Sequence, residues 1–319
     1  MSVRAPLIVI VGPTAVGKTA LAIQLCQRYN GEIVSADSRQ VYRGMDIGTA
    51  KPTPAEQSAV RHHLIDIIEP DRTLGIAEYQ LLAYAAIEDV LRRGLLPFLV
   101  GGSGQYVRAV IEGWRVPRVP PDYQLRAELQ VEAQRIGAHG LHARLAVLDP
   151  VAAARIDPRN VRRVIRALEV CLKTGKPISV QQGAQPPPYR ILQIGLTMPR
   201  QQLYARVDAR VDRMMAEGLL DEVRKLVAQG YNLTLPAMSG LGYRQLGQYL
   251  TGHISLEEAV RMIKKETRRF IRQQYNWFRL DDPAIHWVDV SRDDAFETAC
   301  QLVGDFLGGL SRSSLTPLR

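Results

Sequence analysis

Gly12-Pro13-Thr14-Ala15-Val16-Gly17-Lys18-Thr19 has the spacing G-x-x-x-x-G-K-[ST] of a loop that holds phosphate groups. Glycines at both ends let the backbone curl with its N–H groups turned inward, and the start of a following helix adds partial positive charge. Lys18 can reach the outer phosphates of a nucleotide such as ATP or of an organic diphosphate, and the Thr19 hydroxyl can ligate Mg²⁺. The motif gives a bound polyphosphate. It does not by itself give a phosphoryl transfer.

A second set of polar residues follows. Ala36-Asp37-Ser38-Arg39-Gln40 comes directly after Glu32-Ile33-Val34-Ser35, which reads as a second buried strand. A carboxylate there could bind magnesium, act as a general base, or cap the next turn. Gly101-Gly102-Ser103-Gly104-Gln105-Tyr106 is a second glycine-rich turn, in which Ser103 can cap a helix or face the same crevice as the phosphate loop. Arg206, Arg210 and Arg213 share one face of a helix by their i, i+4, i+7 spacing, either as a solvated face or as an anion site. Further on, Arg261, Lys264, Lys265, Arg268, Arg269, Arg272 and Arg279 stand against a single acid, Glu266, in residues 261–279. At the helical period most of these cations fall within an arc of roughly 100°, with Ala259, Ile263, Phe270 and Trp277 opposite. Such a stripe suits a nucleic-acid backbone.

These residues need a frame. Leu7-Ile8-Val9-Ile10-Val11 reads as a buried strand ahead of the phosphate loop, and Leu21, Ile23 and Leu25 lie in the helix after it. In open parallel sheets the ligand crevice lies beyond the strands' carboxyl ends, which puts Asp37 beside the loop. Residues 62–68 and Leu95 to Val100 read as further strands, and 76–93 as a helix ended by Gly94. Adjacent His62 and His63 would point to opposite faces and make a poor metal pair. Proline clusters at Val116 to Pro121 and Gln185 to Pro188 bracket a charged helical stretch without strand pattern. The expected architecture is therefore α/β: a P-loop NTPase-like core of parallel sheet flanked by helices, formed by residues 1–115 and 189–319. A helical insertion domain, 116–188, moves independently of it. Residues 199–230 read as a helical pair broken near Gly218. A helix over 255–279 is capped by Ser255 in a capping box with Glu258.

The whole composition narrows the setting. The 319 residues carry a formal net charge of +9, which favours a polyanionic partner. The three cysteines, Cys26, Cys171 and Cys300, are far apart and read as reduced thiols of a cytoplasmic protein. No apolar run reaches the length of a membrane span, and the early first strand leaves no room for a targeting peptide. Three reaction classes remain: a small-molecule kinase, a transferase with a diphosphate leaving group, and a nucleic-acid ATPase. The last wants a second acidic motif at a strand end, which is not evident. The cationic helix tilts the choice toward an enzyme acting on RNA.

At these same residues the sequence resembles the bacterial tRNA dimethylallyltransferases over most of its length. The matching stretches are Gly12 to Thr19, Ser35 to Tyr42, Gly48 to Pro52, His62 to Asp66, Gly101 to Tyr106, Asp157 through Glu169, and Gly242 to Gln245. Ser103 stands where the family usually has threonine, and Val16 where it often has serine. No Cys/His spacing after residue 280 matches the zinc finger of eukaryotic relatives. The resemblance implies transfer of a dimethylallyl group from its diphosphate to N6 of the adenine 3′ of the anticodon. In that reaction Asp37 takes a proton or hydrogen bond from N6, Thr14 bonds the bridging oxygen, and Arg210 with Lys18 neutralises the departing diphosphate. The diphosphate would sit on Gly12 through Thr19, with Mg²⁺ at Thr19. Asp37, Ser38, Arg39, Gln40, Ser103, Arg126, Val161, Arg162, Arg163, Val164, Ile165, Gly242, Tyr243 and Arg244 would meet the tRNA anticodon stem-loop. The chain is further expected to be a cytoplasmic monomer without membrane contact.

Overall fold

The computed structural model describes residues 4–311; the outermost residues of the core segments assigned from sequence, 1–3 and 312–319, lie outside it. The chain divides into two compact units, Met1–Val110 with Pro188–Arg319, and Ile111–Pro187.

The first unit is built on strands β1 (Ala5–Val11), β2 (Gly31–Ser35), β3 (His62–His63) and β4 (Leu96–Val100), joined by helices α1 (Lys18–Tyr29), α2 (Pro54–Ala59) and α3 (Ile76–Arg92) and followed by α4 (Gly104–Glu112). The second unit has β5 (Trp114–Arg115), α5 (Tyr123–Leu148), α6 (Pro150–Arg155), α7 (Val161–Thr174), α8 (Ile178–Gln181) and β6 (Gly183–Ala184). The chain then re-enters the first unit with β7 (Tyr189–Thr197), α9 (Arg200–Ala216), α10 (Leu219–Ala228), α11 (Tyr243–Leu250), α12 (Leu256–Trp277), β8 (Ile285–Asp289) and α13 (Ala295–Ser311).

Six strands form one parallel sheet in the order β3-β2-β4-β1-β7-β8. Helices cover both faces of such a sheet, so its central strands read as continuous β-branched runs. Leu7 through Val11 are all fully buried. On one side Ile8, Ile10, Phe98, Ile194 and Leu196 pack with Leu21, Leu25 and Cys26 of α1, Leu203 and Val207 of α9, Ile271 of α12 and Val303 of α13. The carboxyl ends of β2, β4 and β1 are therefore neighbours, and the loops that leave them share one crest.

The expected strand over 62–68 is only two residues long. Leu64 and Asp66 take positive φ, 63° and 54°, which breaks an extended run. The Lys51 ammonium binds both Asp46 and Asp66 at this bend. The two histidines have separate structural partners: His63 Nε2 lies 2.6 Å from Glu32, and His62 Nδ1 lies 2.8 Å from the Val60 carbonyl.

The second unit, taken alone, is a helical cluster. Leu129, Leu141 and Leu145 of α5 pack with Val164, Ile165 and Leu168 of α7, and α5 bends at Gly137, φ 77°. Residues 116–121 and 185–188 form no helix or strand, and just beside them Trp114 and Arg115 pair antiparallel with Ala184 and Gly183, tying the unit's two ends together. Glu169, fully buried, accepts from Arg126 at 2.8 Å, from Arg166, and from the Asp122 amide at 2.8 Å.

Candidate active site

The phosphate loop leaves β1 in the geometry its glycines permit. Gly12 has φ 142°, and a Cβ there would sit 2.6 Å from the Leu196 carbonyl oxygen. Gly17, φ 106°, caps α1 in the left-handed region, and Ala15 shares that conformation at φ 65°. Lys18 folds back over the loop and donates to the carbonyls of Gly12, 3.0 Å, and Pro13, 2.8 Å. Burial pulls its pKa down to about 8; Asp37 opposes this shift and Arg210 adds to it. Thr19 stands half-buried in the first turn of α1.

The loop after β2 lies alongside. Asp37 Oδ1 accepts from the Arg39 amide at 2.8 Å, a local turn that holds the carboxyl in place. Both readings of this residue are thus compatible, because the field of Asp37 also reaches Lys18 and Arg210. The Ser103 hydroxyl accepts from the Ser38 amide at 2.9 Å and donates to the Ser38 hydroxyl at 3.2 Å. It therefore fastens the turn after β4 to the Asp37 loop instead of capping α4. The Ala36 carbonyl accepts from the Ser103 amide at 3.2 Å. Gly101 allows this approach, since a Cβ there would collide with Ala36. Arg39 turns away and donates to the Pro236 carbonyl at 2.9 Å, while Gln40 accepts from Ser35 and donates to the Ala50 carbonyl at 3.0 Å.

Helix α9 brings Arg210 to the crest. The residue is half-buried; burial lowers its pKa and Asp37 raises it. One turn earlier, Arg206 comes within 4.0 Å of the Cβ position of Gly17. Beside the phosphate loop, Lys18, Arg210 and the Asp37 carboxylate thus stand close enough to feel one another's charge. Such a set can hold a diphosphate, balance its growing charge on departure and take a proton nearby.

Other sequence-derived residues have different surroundings. Tyr243 is buried against Gly48, and its hydroxyl donates to Glu222 at 2.6 Å. Gly242 takes φ 91° before α11, and Arg244 pairs with Glu266. Val164 and Ile165 lie in the core of the second unit and Arg126 holds Glu169, whereas Arg162 and Arg163 are exposed on α7 and Val161 is half-buried.

The stripe on α12 is less free than its sequence suggests. Arg268 pairs with Asp208, Lys264 with Asp212 at 2.6 Å and Arg261 with Glu258 at 2.6 Å. The acids Asp208 and Asp212 stand one turn apart on α9, so the partners of Arg268 and Lys264 cannot be seen in α12 alone. The buried face is also offset: Ala259, Ile263, Ile271 and Gln274 are covered, while Phe270 is exposed. Ser255 caps the helix by accepting from the Glu258 amide, but the Glu258 carboxylate goes to Arg261. Lys265 and Arg269 stay exposed without an ion pair among the described residues.

Two site-shaping residues were not evident in the sequence. Glu222 of α10 accepts from the amides of Asp46, 2.9 Å, Ile47, 2.8 Å, and Gly48, 3.1 Å, and so moulds the loop that holds Gln40. Gln274 accepts from the Thr14 amide at 2.8 Å and donates to the Gly102 carbonyl at 3.1 Å. A signal for Gln274 did exist: a polar residue in helical register with Ile263, Ile271 and Phe278. Glu222 has none, because its partners are backbone amides of a distant loop.

Comparison with known proteins gives the family and the fold. A family model described as IPP transferase matches residues 40–281. The tRNA dimethylallyltransferase of Roseiflexus sp. (strain RS-1) is 61% identical over 274 residues, covering 86% of this chain and 90% of that one. Among solved structures, the full-length tRNA isopentenylpyrophosphate transferase of Bacillus halodurans superposes with a TM-score of 0.73 at 41% identity, covering 98% of this chain and 100% of that one. A eukaryotic dimethylallyltransferase acting on tRNA gives a TM-score of 0.78 at 25% identity, covering 96% of this chain and 80% of the other. The family model over most of the chain, the identity to curated relatives and the likeness to solved structures agree, and this chain belongs to the IPP transferase family.

Proposed function

We propose that this chain is a tRNA dimethylallyltransferase, moving the dimethylallyl group from its diphosphate to N6 of the adenine 3′ of the tRNA anticodon. The observation that carries the reading is the meeting of Asp37 with Lys18 and Arg210 at one crest, a base beside a diphosphate cradle. The N6 nitrogen attacks C1 of the dimethylallyl group. The C1–O bond breaks, its electron pair leaves with the diphosphate, and the N6 proton goes to Asp37. An exocyclic aromatic amine is a poor nucleophile, so a fixed carboxylate within reach of it is a sensible requirement. Thr14 bonds the bridging oxygen, and Lys18 and Arg210 take up the charge that develops on the leaving group.

The residues present suit Mg²⁺. No cluster of three or more His, Cys, Asp or Glu able to cage an ion exists among the described residues. Mg²⁺ commonly takes one or two protein ligands together with substrate phosphates, and the Thr19 hydroxyl in the first turn of α1 fits that role. Bound there, the ion would lend positive charge to the diphosphate oxygens. The RNA backbone is met in the first unit by the exposed Lys265, Arg269 and Arg272, and in the second by Arg162 and Arg163. The adenine must leave its stack to reach Asp37. No described helix is long and apolar enough to cross a membrane.

The test is incubation with dimethylallyl diphosphate, Mg²⁺ and unmodified tRNA, followed by nucleoside analysis. Isopentenyladenosine is the expected product, with none from free AMP and no phosphoryl transfer from ATP. Its absence with several tRNAs bearing adenine after the anticodon refutes the reading.

A further inference from the structure

Backbone amides of a phosphate loop are ordinarily the ligand's donors. The Thr14 amide is instead committed to Gln274 Oε1 on α12, at 2.8 Å. The other end of the same side chain donates to the Gly102 carbonyl at 3.1 Å, and the residue is 4% exposed. Gly102 must be glycine for this, since a Cβ there would collide with Gln274 Nε2. One turn on, the Trp277 ring closes over Gly104, and the Trp277 carbonyl accepts from Arg108 at 2.9 Å. The inner face of α12 is thus locked onto the turns after β1 and β4, while its outer face carries Lys265, Arg269 and Arg272.

We propose that Gln274 is a positioning residue, whose side-chain amide sets the Pro13–Thr14 peptide and thereby aims the Thr14 hydroxyl at the leaving diphosphate. This inference rests on the transferase reading above. The primary amide offers an acceptor to the Thr14 N–H and, on a separate atom, a donor to the Gly102 carbonyl. Glutamate keeps the acceptor but turns a second oxygen toward that carbonyl. Methionine fills the volume and offers neither group. Gln274 touches no reacting atom, so its loss acts through Thr14. A misplacement of about 1 Å at a reacting group lowers the rate on the order of 10²-fold. The effect belongs in kcat, with tRNA affinity unchanged.

The experiment is a double-mutant cycle between Gln274→Met and Thr14→Ala, with single-turnover transfer rates, tRNA Kd and Tm measured for each protein. Gln274→Met is expected to slow transfer by about 10²-fold at unchanged tRNA Kd, and Gln274→Glu by less. In the Thr14→Ala background the same Gln274 change should cost only a few-fold. An equal loss in both backgrounds, or a wild-type rate in folded Gln274→Met, overturns the proposal. If the methionine variant fails to fold, the cycle is run with Gln274→Glu under the same criteria. Amide hydrogen exchange at Thr14 gives a readout independent of turnover. Protection in the wild type that is lost in Gln274→Met supports the contact, and an unprotected Thr14 overturns it even if no isopentenyladenosine forms and the transferase reading itself fails.

Discussion

Dividing the cations of α12 into two pairs tests where the RNA backbone lies. Lys265 and Arg269 are exposed and free of ion pairs among the described residues, whereas Lys264 and Arg268 are spoken for by Asp212 and Asp208 of α9. Each phosphate contact removed should flatten the log–log salt slope of tRNA affinity by about 0.7–0.9. Lys265→Gln with Arg269→Gln should therefore flatten it by about 1.6 if both side chains sit on phosphates. Between 50 and 200 mM salt, the wild type would then lose affinity about ninefold more than the variant. Lys264→Gln with Arg268→Gln should barely change the slope. Those pairs are partly exposed, with Arg268 and Asp208 at 39% and 30%, so their loss should cost about 1–2 kcal/mol in total. In a protein of this size that lowers Tm by roughly 2–8 °C. Filter binding or anisotropy with an anticodon stem-loop across a salt series, beside calorimetry, separates the two outcomes. An unchanged slope in the Lys265/Arg269 variant, or a flattened one in the Lys264/Arg268 variant at unchanged Tm, refutes the assignment.

The remaining predictions concern single residues. Asp37→Ala should slow transfer by about 10²–10⁴ while leaving tRNA Kd largely intact, as for a lost general base; equal losses of rate and affinity would make Asp37 a binding residue only. Lys18 has a pKa of about 8 in the free protein and must be charged to hold a diphosphate. The bound anion favours the protonated form, so affinity for dimethylallyl diphosphate should be level below about pH 8 and fall by up to tenfold per unit above it. Calorimetric titrations across pH 6.5–10 should follow that curve in the wild type and lose it in Lys18→Arg. Arg126→Ala removes one of the two guanidinium partners of the fully buried Glu169. It should destabilise the helical unit by about 1–3 kcal/mol, read as a lower melting transition; lost tRNA affinity at unchanged stability would instead place Arg126 on the RNA.

What could be read from the chain alone followed from how local each signal is. The phosphate loop and the strand before it are contiguous, and a buried parallel strand is a run of β-branched residues, so β1, β2 and β4 were visible as such. Helix α12 was legible in extent but not in its role. Its cations find acids on α9, and Gln274 finds Thr14 across 260 positions of sequence. Periodicity places a residue on a face; it does not say what that face meets. β3 was read too long for a related reason, since Lys51 and its two carboxylates bend a segment whose apolar pattern alone suggests a longer strand. Glu222 was invisible because its acceptors satisfy backbone amides, which every residue has.

The place of β7 in the sheet bears on how the protein is made. It lies against β1 along its whole length, Ala5 beside Tyr189 and Val11 beside Gly195, with the entire helical unit encoded between the two. A ribosome adding about 5–20 residues per second needs roughly ten to forty seconds to supply that partner. During this interval β1 can pair only along its β4 edge, and Ile8 and Ile10 can pack on α1 but not yet on α9, α12 or α13. A wholly apolar strand therefore waits with one edge unpaired, the state in which strands recruit other chains. The helical unit, whose contacts are local in sequence, can meanwhile fold on the emerging chain. Slow translation ahead of Tyr189 would lengthen the vulnerable period, and holdase chaperones that bind extended apolar segments should find their target in nascent chains that end between residues 110 and 190.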